Sequence, residues 1–326
     1  MKAITINKDK TISWSEVSLF PLKDGEITIE VHAAAINRAD LLQREGNYPP
    51  PEGCPDWPGL EVAGIVKEVT PSAKRFKVGD KVCALLGGGG YAEFVNVPEE
   101  MVMPMPHNLS FEEASAIPEV YTTAYLNLFY VGKAKKGETL LMNAGASGLA
   151  SAVIPMAKAF GLRVITTVLG KEMVENVAYL NADRVVDTTK ENIAEVLKEE
   201  EANGNPVNIA IDCLGGKMLG ECLPYVARGC RWIQIATLAG DMSNIDFKNI
   251  YVKNIHIIGS TLRSKTPEEK GVLLKELTEN LWSKFESREI VPKIYATLPI
   301  TKADEAQQIL YRGENVGKVV LTVNKN

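Results

Sequence analysis

The stretch Thr139-Leu140-Leu141-Met142-Asn143-Ala144-Gly145-Ala146-Ser147-Gly148-Leu149-Ala150-Ser151-Ala152-Val153 limits the fold of this chain more than any other. A short apolar run breaks into small residues and resumes at helical spacing. That is the pattern of a buried strand turning tightly into a helix whose N-terminus holds a dinucleotide pyrophosphate. In a G-x-G-x-x-G frame the first position is Gly145, the second Ser147 and the third Ala150. Alanine is permitted where the helix packs closely on the sheet, and serine keeps a small side chain where backbone must approach phosphate. On this reading Gly145, Ser147, Gly148 and Leu149 supply backbone donors to the pyrophosphate, with Asn143 and Ala146 in the same loop. The alternative is an ordinary Gly/Ala-rich turn.

The surroundings favour the first reading. Strands are expected at 139–143, 163–168, 184–187, 207–212, 230–235 and 255–259, with helices at 147–160, 172–180, 192–200 and 219–226 between them. Such alternation means βαβ units and an α/β, doubly wound parallel (Rossmann) sheet. The first ~100 residues differ, with short strands at 2–6, 12–17, 26–34, 62–69, 81–85 and 91–97 separated by Gly-rich turns, a small barrel or sandwich. A short helix is expected over 37–44. The three prolines from Pro49 to Pro51 then impose an extended loop with Tyr48 at its mouth. Ser110 and Glu113 form a capping-box start, and a longer helix is expected over 121–130.

After Ser260 the pattern predicts a helix over 267–285 with Val272, Leu273, Leu277, Leu281 and Phe285 on its apolar positions, a strand at 294–298, a helix at 303–310 and a strand at 318–323. This tail has too little apolar material to stand alone, so it is expected to return to the N-terminal domain. The expected division is therefore 1–119 with 260–326 as a β-rich domain and 120–259 as the inserted dinucleotide domain. Ligand pockets favour domain interfaces, which places the active site in the cleft between them.

A chain of 326 residues accommodates roughly two domains. Its net charge of -5 gives no basic footprint for nucleic acid. The N-terminus lacks the apolar core of a signal peptide and no run reaches a membrane span, so a cytoplasmic home is the default. Cys54, Cys83, Cys213, Cys222 and Cys230 are scattered without a paired framework, as small reduced thiols are.

Several motifs then occur in order: Asn37-Arg38-Ala39-Asp40, Gly59-Leu60-Glu61 with Gly64 beyond, Gly79-Asp80-Lys81-Val82, the glycine run before Tyr91-Ala92-Glu93, and the nucleotide loop. Over essentially its whole length the chain resembles the zinc-free, zeta-crystallin-like quinone oxidoreductases of the medium-chain dehydrogenase/reductase superfamily. The resemblance is strongest to the subgroup carrying Asn-Arg-Ala-Asp, a Tyr-Pro-Pro-Pro loop (Tyr48 to Pro51), Ile-Pro-Glu (Ile117 to Glu119) and Leu-Arg-Ser (Leu262 to Ser264). It implies a GroES-like catalytic domain around the Rossmann insert, and a homodimer.

Metal can be argued from ligand chemistry. Where zinc-dependent relatives carry their ligands this chain has Asn37 and Leu60, neither of which replaces Cys or His, and no Cys-x2-Cys exists for a structural site. His32, His107 and His256 are isolated in sequence. Without a Lewis acid the acceptor must spread the charge left by hydride through its own conjugation, as quinones and α,β-unsaturated carbonyls do.

The resemblance places Tyr48 over the nicotinamide as substrate contact and proton donor, with Asn37 and Asp40 lining the same cleft; the alternatives are an aromatic packed on its proline loop and, for Asp40, a helix cap. It also places Thr123, Ile235, Ala236, Leu262, Arg263 and Lys318 near the coenzyme or substrate. Coenzyme choice is read from Thr166-Thr167-Val168-Leu169-Gly170-Lys171, where no acid awaits a ribose 2'-hydroxyl. That leaves room for a 2'-phosphate and favours NADPH over NADH, with Thr167 and Lys171 as candidate phosphate contacts; Met173 where relatives have lysine and Thr188 where they have tyrosine leave fewer positive partners than the family offers, which implies a modest affinity. The sequence thus predicts an NADPH-dependent quinone reductase. The alternatives are a 2-alkenal or enone reductase and, from another class, a nucleotide- or RNA-binding protein with weak catalysis.

Overall fold

The computed structural model describes residues 1–323, in two compact units: 1–122 with 263–323, and 123–262. In the first, β1 (Lys2–Ile6) and β2 (Ile12–Glu16) form an antiparallel hairpin. Then come β3 (Glu26–Ala35), α1 (Arg38–Glu45), β4 (Glu61–Val69), β5 (Lys81–Leu85), β6 (Phe94–Pro98), β7 (Val102–Pro104), α2 (Phe111–Ser115) and α3 (Pro118–Tyr125). Strand β3 is central, pairing antiparallel with both β4 and β6, and its Ile27, Ile29, Val31 and Ala33 to Ala35 are buried. Its tight pairing with β4 depends on Gly64, where a Cβ would lie 1.9 Å from the Glu30 carbonyl oxygen.

The second unit is built from β8 (Thr139–Met142), α4 (Ala150–Ala159), β9 (Arg163–Val168), α5 (Lys171–Asn176), β10 (Arg184–Asp187), α6 (Ile193–Ala202), β11 (Val207–Asp212), α7 (Met218–Cys222), β12 (Val226–Gln234), α8 (Phe247–Lys253) and β13 (His256–Gly259). Its sheet order is β10-β9-β8-β11-β12-β13, all parallel. Strand order reverses between β8 and β11, and ligands of open α/β sheets bind beyond the strand ends at such a switch point. The loop after β8 therefore lies where a dinucleotide is received.

The chain closes with α9 (Pro267–Glu286), β14 (Ile294–Pro299), α10 (Ala303–Arg312) and β15 (Lys318–Thr322). Strand β15 pairs antiparallel with β3 and parallel with β14, so the tail completes the sheet of the first unit. Helix α9 begins at a capping box of Thr266 and Glu269 with Pro267 in its first turn. It buries Leu273, Leu274, Leu277, Leu281 and Phe285, while Val272 faces solvent.

Several elements differ from their sequence expectation for identifiable reasons. The helix expected at 147–160 starts at Ala150, because residues 143–149 are spent on the loop. The helix expected at 219–226 stops at Cys222; Pro224 allows one 3-10 turn and Val226 opens β12. The strand expected from Tyr91 begins at Phe94, since Tyr91 points inward. The helix over 121–130 becomes a π-helical turn at Leu126–Val131, closed by the Gly132 N–H donating to the Asn127 carbonyl (2.9 Å). Helix α8 and strand β7 carry no periodic signal and were not expected.

Candidate active site

The chemistry-bearing residues of the first unit gather where β3 runs into α1. Asn37 is the N-cap of α1, in extended conformation, and Asp40 is the third residue of the helix. The Asp40 carboxylate is wholly buried and saturated: it accepts from the Asn37 N–H (2.7 Å), the Gly59 N–H (3.1 Å) and the Tyr91 hydroxyl (2.8 Å). Of the two roles open to it, capping is the one this geometry fills. It ties the helix start to the lead-in of β4. Burial raises Asp40 to about 6 against those hydrogen bonds.

Asn37 is buried too. Its amide donates to Glu61 Oε1 (3.0 Å) and the Ala35 carbonyl (3.4 Å), and its Oδ1 accepts from Lys318 Nζ (2.6 Å). Lys318, expected to reach coenzyme or substrate, is instead enclosed: its ammonium donates also to the Ile36 carbonyl (2.7 Å) and pairs with Glu61 Oε1 (2.9 Å). A buried cation thus sits on three oxygens beside the Asn37 position. The donors are an amide, a carbonyl and a carboxylate already neutralised by lysine, with Leu60 in place of an imidazole or thiolate, and that set does not fit zinc.

The other oxygen of Glu61 accepts from the Glu119 N–H (2.8 Å), at the start of α3. Burial first, and the Glu61 carboxylate second, push the Glu119 carboxyl up to about 7. Folded-state values above the ordinary carboxylate range mean that Asp40 and Glu119 stabilise the fold most at acid pH, and that this contribution is lost as pH rises through ~6 to ~7. Urea unfolding of Glu119→Gln should accordingly show a flatter decline in stability than the wild type as pH rises from the ordinary carboxylate value of 4.5 to about 7, with no difference in slope above that. An unchanged slope would remove Glu119 from this account.

Tyr48 is half-buried at the mouth of the proline loop. The Arg263 guanidinium lies 4.1 Å from its ring centroid and donates to the Pro49 carbonyl (3.1 Å), so the arginine expected at the nicotinamide clamps the tyrosine loop. Burial raises the Tyr48 phenol above its ordinary value, and the Glu119 and Asp40 carboxylates add to the rise against the pull of Arg263. A phenol held that way keeps its proton across the neutral range.

In the second unit, Ala144 adopts a left-handed conformation and Gly145 follows it against the sheet. A Cβ on Gly145 would lie 2.5 Å from Thr166 Oγ1, which is why the first glycine of the frame is retained. The Gly145 N–H donates to the Thr167 carbonyl on β9 (2.7 Å) and the Ser147 N–H to the Ala144 carbonyl (2.9 Å), so these two expected phosphate donors already have protein acceptors. Ser147 Oγ accepts from the N–H of Ala150 (3.1 Å), the first residue of α4. Among the described residues the amides of Ala146, Gly148 and Leu149 meet no protein acceptor. The buried Asn143 Nδ2 also lacks a partner, although Asn143 Oδ1 accepts from the Thr167 hydroxyl (3.4 Å). Unspent donors at the N-terminus of a ten-residue helix fit a pyrophosphate.

The expected coenzyme-selecting residues separate. Thr167 is buried, its hydroxyl accepting from the Ala144 N–H (3.1 Å), which removes it from phosphate contact. Thr188 donates to the Val168 carbonyl (3.2 Å). Lys171 is exposed and only 3.8 Å from Glu175, a contact too loose to hold it. The loop itself is fixed by Asp187, which accepts from the Gly170 N–H (2.8 Å). Thr123 lies partly buried in α3, Ile235 and Ala236 follow β12, and Leu262 is buried. The histidines find ordinary partners: His32 stacks on Phe111 and His107 meets Glu286, while His256 is exposed on β13.

Sequence reasoning did not assign roles to Glu61, Glu119, Tyr91 or Lys270. Glu119 carried a signal, since Ile117-Pro118-Glu119 stood out as a motif. Glu61 and Tyr91 likewise stood in motifs, Gly59-Leu60-Glu61 and Tyr91-Ala92-Glu93, but their roles come from burial and partners, which neighbouring residues do not disclose.

A six-stranded parallel sheet with a dinucleotide loop, in a chain whose ends build a second β-rich unit, defines the medium-chain dehydrogenase fold. Residues 23–107 match the alcohol dehydrogenase GroES-like domain family, and residues 148–279 match the zinc-binding dehydrogenase family. A quinone oxidoreductase-like protein 2 homolog of Nematostella vectensis is 30% identical over 307 residues, covering 93% of this chain and 83% of that one. The quinone oxidoreductase of Rattus norvegicus is 30% identical, covering 91% and 88%. A mycobacterial quinone oxidoreductase of solved structure superposes with a TM-score of 0.83 at 25% identity, covering 99% and 100%. The chain belongs to the quinone oxidoreductase branch of the medium-chain dehydrogenase/reductase superfamily. It is an oxidoreductase of the kind that uses a nicotinamide cofactor. Among the described residues no helix is long and apolar enough to cross a membrane.

Proposed function

We propose that this protein is an NADPH-dependent reductase that works without metal on a quinone or a related conjugated acceptor. The observation that carries the reading is the Lys318 ammonium seated on the Ile36, Asn37 and Glu61 oxygens. A fixed internal cation stands in the polar cluster from which a Lewis acid would otherwise act, so charge arriving with hydride must be absorbed by the acceptor itself.

The bound cofactor supplies hydride, and the chain supplies position and a proton. The amides of Ala146, Gly148 and Leu149 and the Asn143 amide would hold the pyrophosphate, with α4 behind them. Tyr48, kept protonated by its surroundings and oriented by Arg263, donates its phenolic proton to the acceptor oxygen as negative charge develops there. Hydride plus that proton converts a quinone to its hydroquinone, and the phenolate left on Tyr48 regains its proton from solvent.

Preference for NADPH rests on the absence of an acid in the 166–171 segment together with Lys171, the one cation within it. Turnover of a para-quinone and of a 2-alkenal, each with NADPH and NADH, tests both halves. The expected result is faster quinone reduction with NADPH. In Lys171→Ala, kcat/KM should fall about fivefold for NADPH, in keeping with loss of one exposed charge contact, and hold for NADH. Faster enal turnover would favour the enone reductase, and loss of activity on removing tightly held zinc would overturn the metal-free reading.

A homodimer belongs to the same proposal. Edge strand β13 exposes Ile257, and α8 nearby in sequence exposes Phe247, Tyr251 and Val252, an apolar set that a second copy would cover. The mass in solution by light scattering should be twice that of the chain; a monomer would refute it.

A further inference from the structure

We propose that the first unit contains a separate binding site for an apolar small molecule carrying one carboxylate, seated on Lys270. The site is a cavity of about 420 Å³, within the size range of small-ligand pockets. Phe20, Trp57, Pro51, Pro55, Leu85 and Met101 contribute its apolar walls. Its polar lining is dominated by cations: Lys23, Arg263, Lys265 and Lys270 against Glu26 and Glu52.

Most of these charges are already accounted for. Arg263 is stacked on Tyr48 and bonds the Pro49 carbonyl through Nη1, its buried Nη2 being left without an acceptor; Lys265 pairs with Glu269 (3.2 Å), and Lys23 is exposed to water. Lys270 is different. It sits in the first turn of α9 with only 9% of its surface exposed, and among the described residues its ammonium has no hydrogen-bond acceptor and no ion-pair partner. Glu269 on the same turn is spent on the Thr266 N–H and Lys265. Glu119, whose field also reaches Lys270, is the carboxyl pushed up to about 7 and so is only partly ionised at neutral pH.

A buried charge without a counterion is costly, and proteins pair such groups or neutralise them. Burial accordingly lowers the basicity of Lys270. A carboxylate entering the cavity would restore the missing partner, while an aliphatic or aromatic body would cover Phe20 and Trp57. One unpaired ammonium calls for one negative charge. The prolines Pro51 and Pro55 and Arg263 form part of the wall, so this ligand lies against the segment that carries Tyr48 without using Tyr48 itself.

Calorimetric titration of the full chain, free of coenzyme, with decanoate and with decan-1-ol tests the site independently of any reductase assay. Decanoate should bind with one-to-one stoichiometry and at least about tenfold more tightly than the alcohol, as expected for a charge-assisted contact. Lys270→Met should abolish that preference, and Lys270→Arg should retain most of it. Because Lys270→Met removes an unpaired buried charge, its thermal midpoint should equal or exceed that of the wild type, so that lost binding is not lost folding. No binding by the wild type, or equal decanoate affinity in Lys270→Met, would overturn the proposal.

Discussion

Replacing Lys318 with methionine is expected to lower the unfolding free energy by about 3–5 kcal/mol, the cost of leaving one member of a buried ion pair behind. Lys318 is 3% exposed and Glu61 wholly buried, at 2.9 Å, so water cannot substitute for the lost ammonium. The loss is not confined to one pair, because the same ammonium holds the Ile36 carbonyl and Asn37 Oδ1 at the entrance to α1. A second change, Glu61→Gln in the Lys318→Met background, removes the stranded charge and should restore a large part of the stability. Urea denaturation of the wild type, both single variants and the double variant measures the coupling directly. Simple addition of the two single losses would mean that the pair is not coupled, and the internal cation would lose its meaning.

Tyr48→Phe should reduce kcat with an enal by at least about 10²-fold while leaving the KM for NADPH within about twofold, the pattern of a lost proton donor. Phenylalanine keeps the ring on which Arg263 rests, so the loop from Pro49 onward retains its support. The effect should be smaller with a para-quinone, whose conjugation stabilises the developing charge more fully. Equal rates for the variant and the wild type would assign Tyr48 to packing, the role in which an aromatic merely covers its proline loop.

The sheet framework was legible because it depends on local pattern. Strands β1, β5, β9, β10 and β11 fall on the limits that alternation and turn residues set for them, and the return of the tail followed from its shortage of apolar residues. Helix α8 was not legible. None of its residues is buried, so no apolar period marks it, and it is secured by an Asp246 cap. The site was read less fully than the fold. Residue types located Asn37, Asp40, Tyr48 and the loop from Asn143, but not how they are used. Whether a threonine hydroxyl faces a phosphate or a neighbouring amide, as with Thr167, depends on the register of β8 against β9. Whether a lysine reaches outward or inward depends on which face of β15 the sheet buries. Lys318 and Lys171 look alike in sequence, yet one is enclosed and the other is in water.

The enclosed lysine has a further consequence. A cation that is part of the polypeptide arrives with translation, cannot be stripped by a chelator and does not vary with the supply of trace elements. Installing a thiolate at position 37 and an imidazole at position 60 would set an incoming metal ion beside an ammonium of the same sign. Building a metal site from those two positions therefore begins with Lys318 on β15, far in sequence from the ligands themselves.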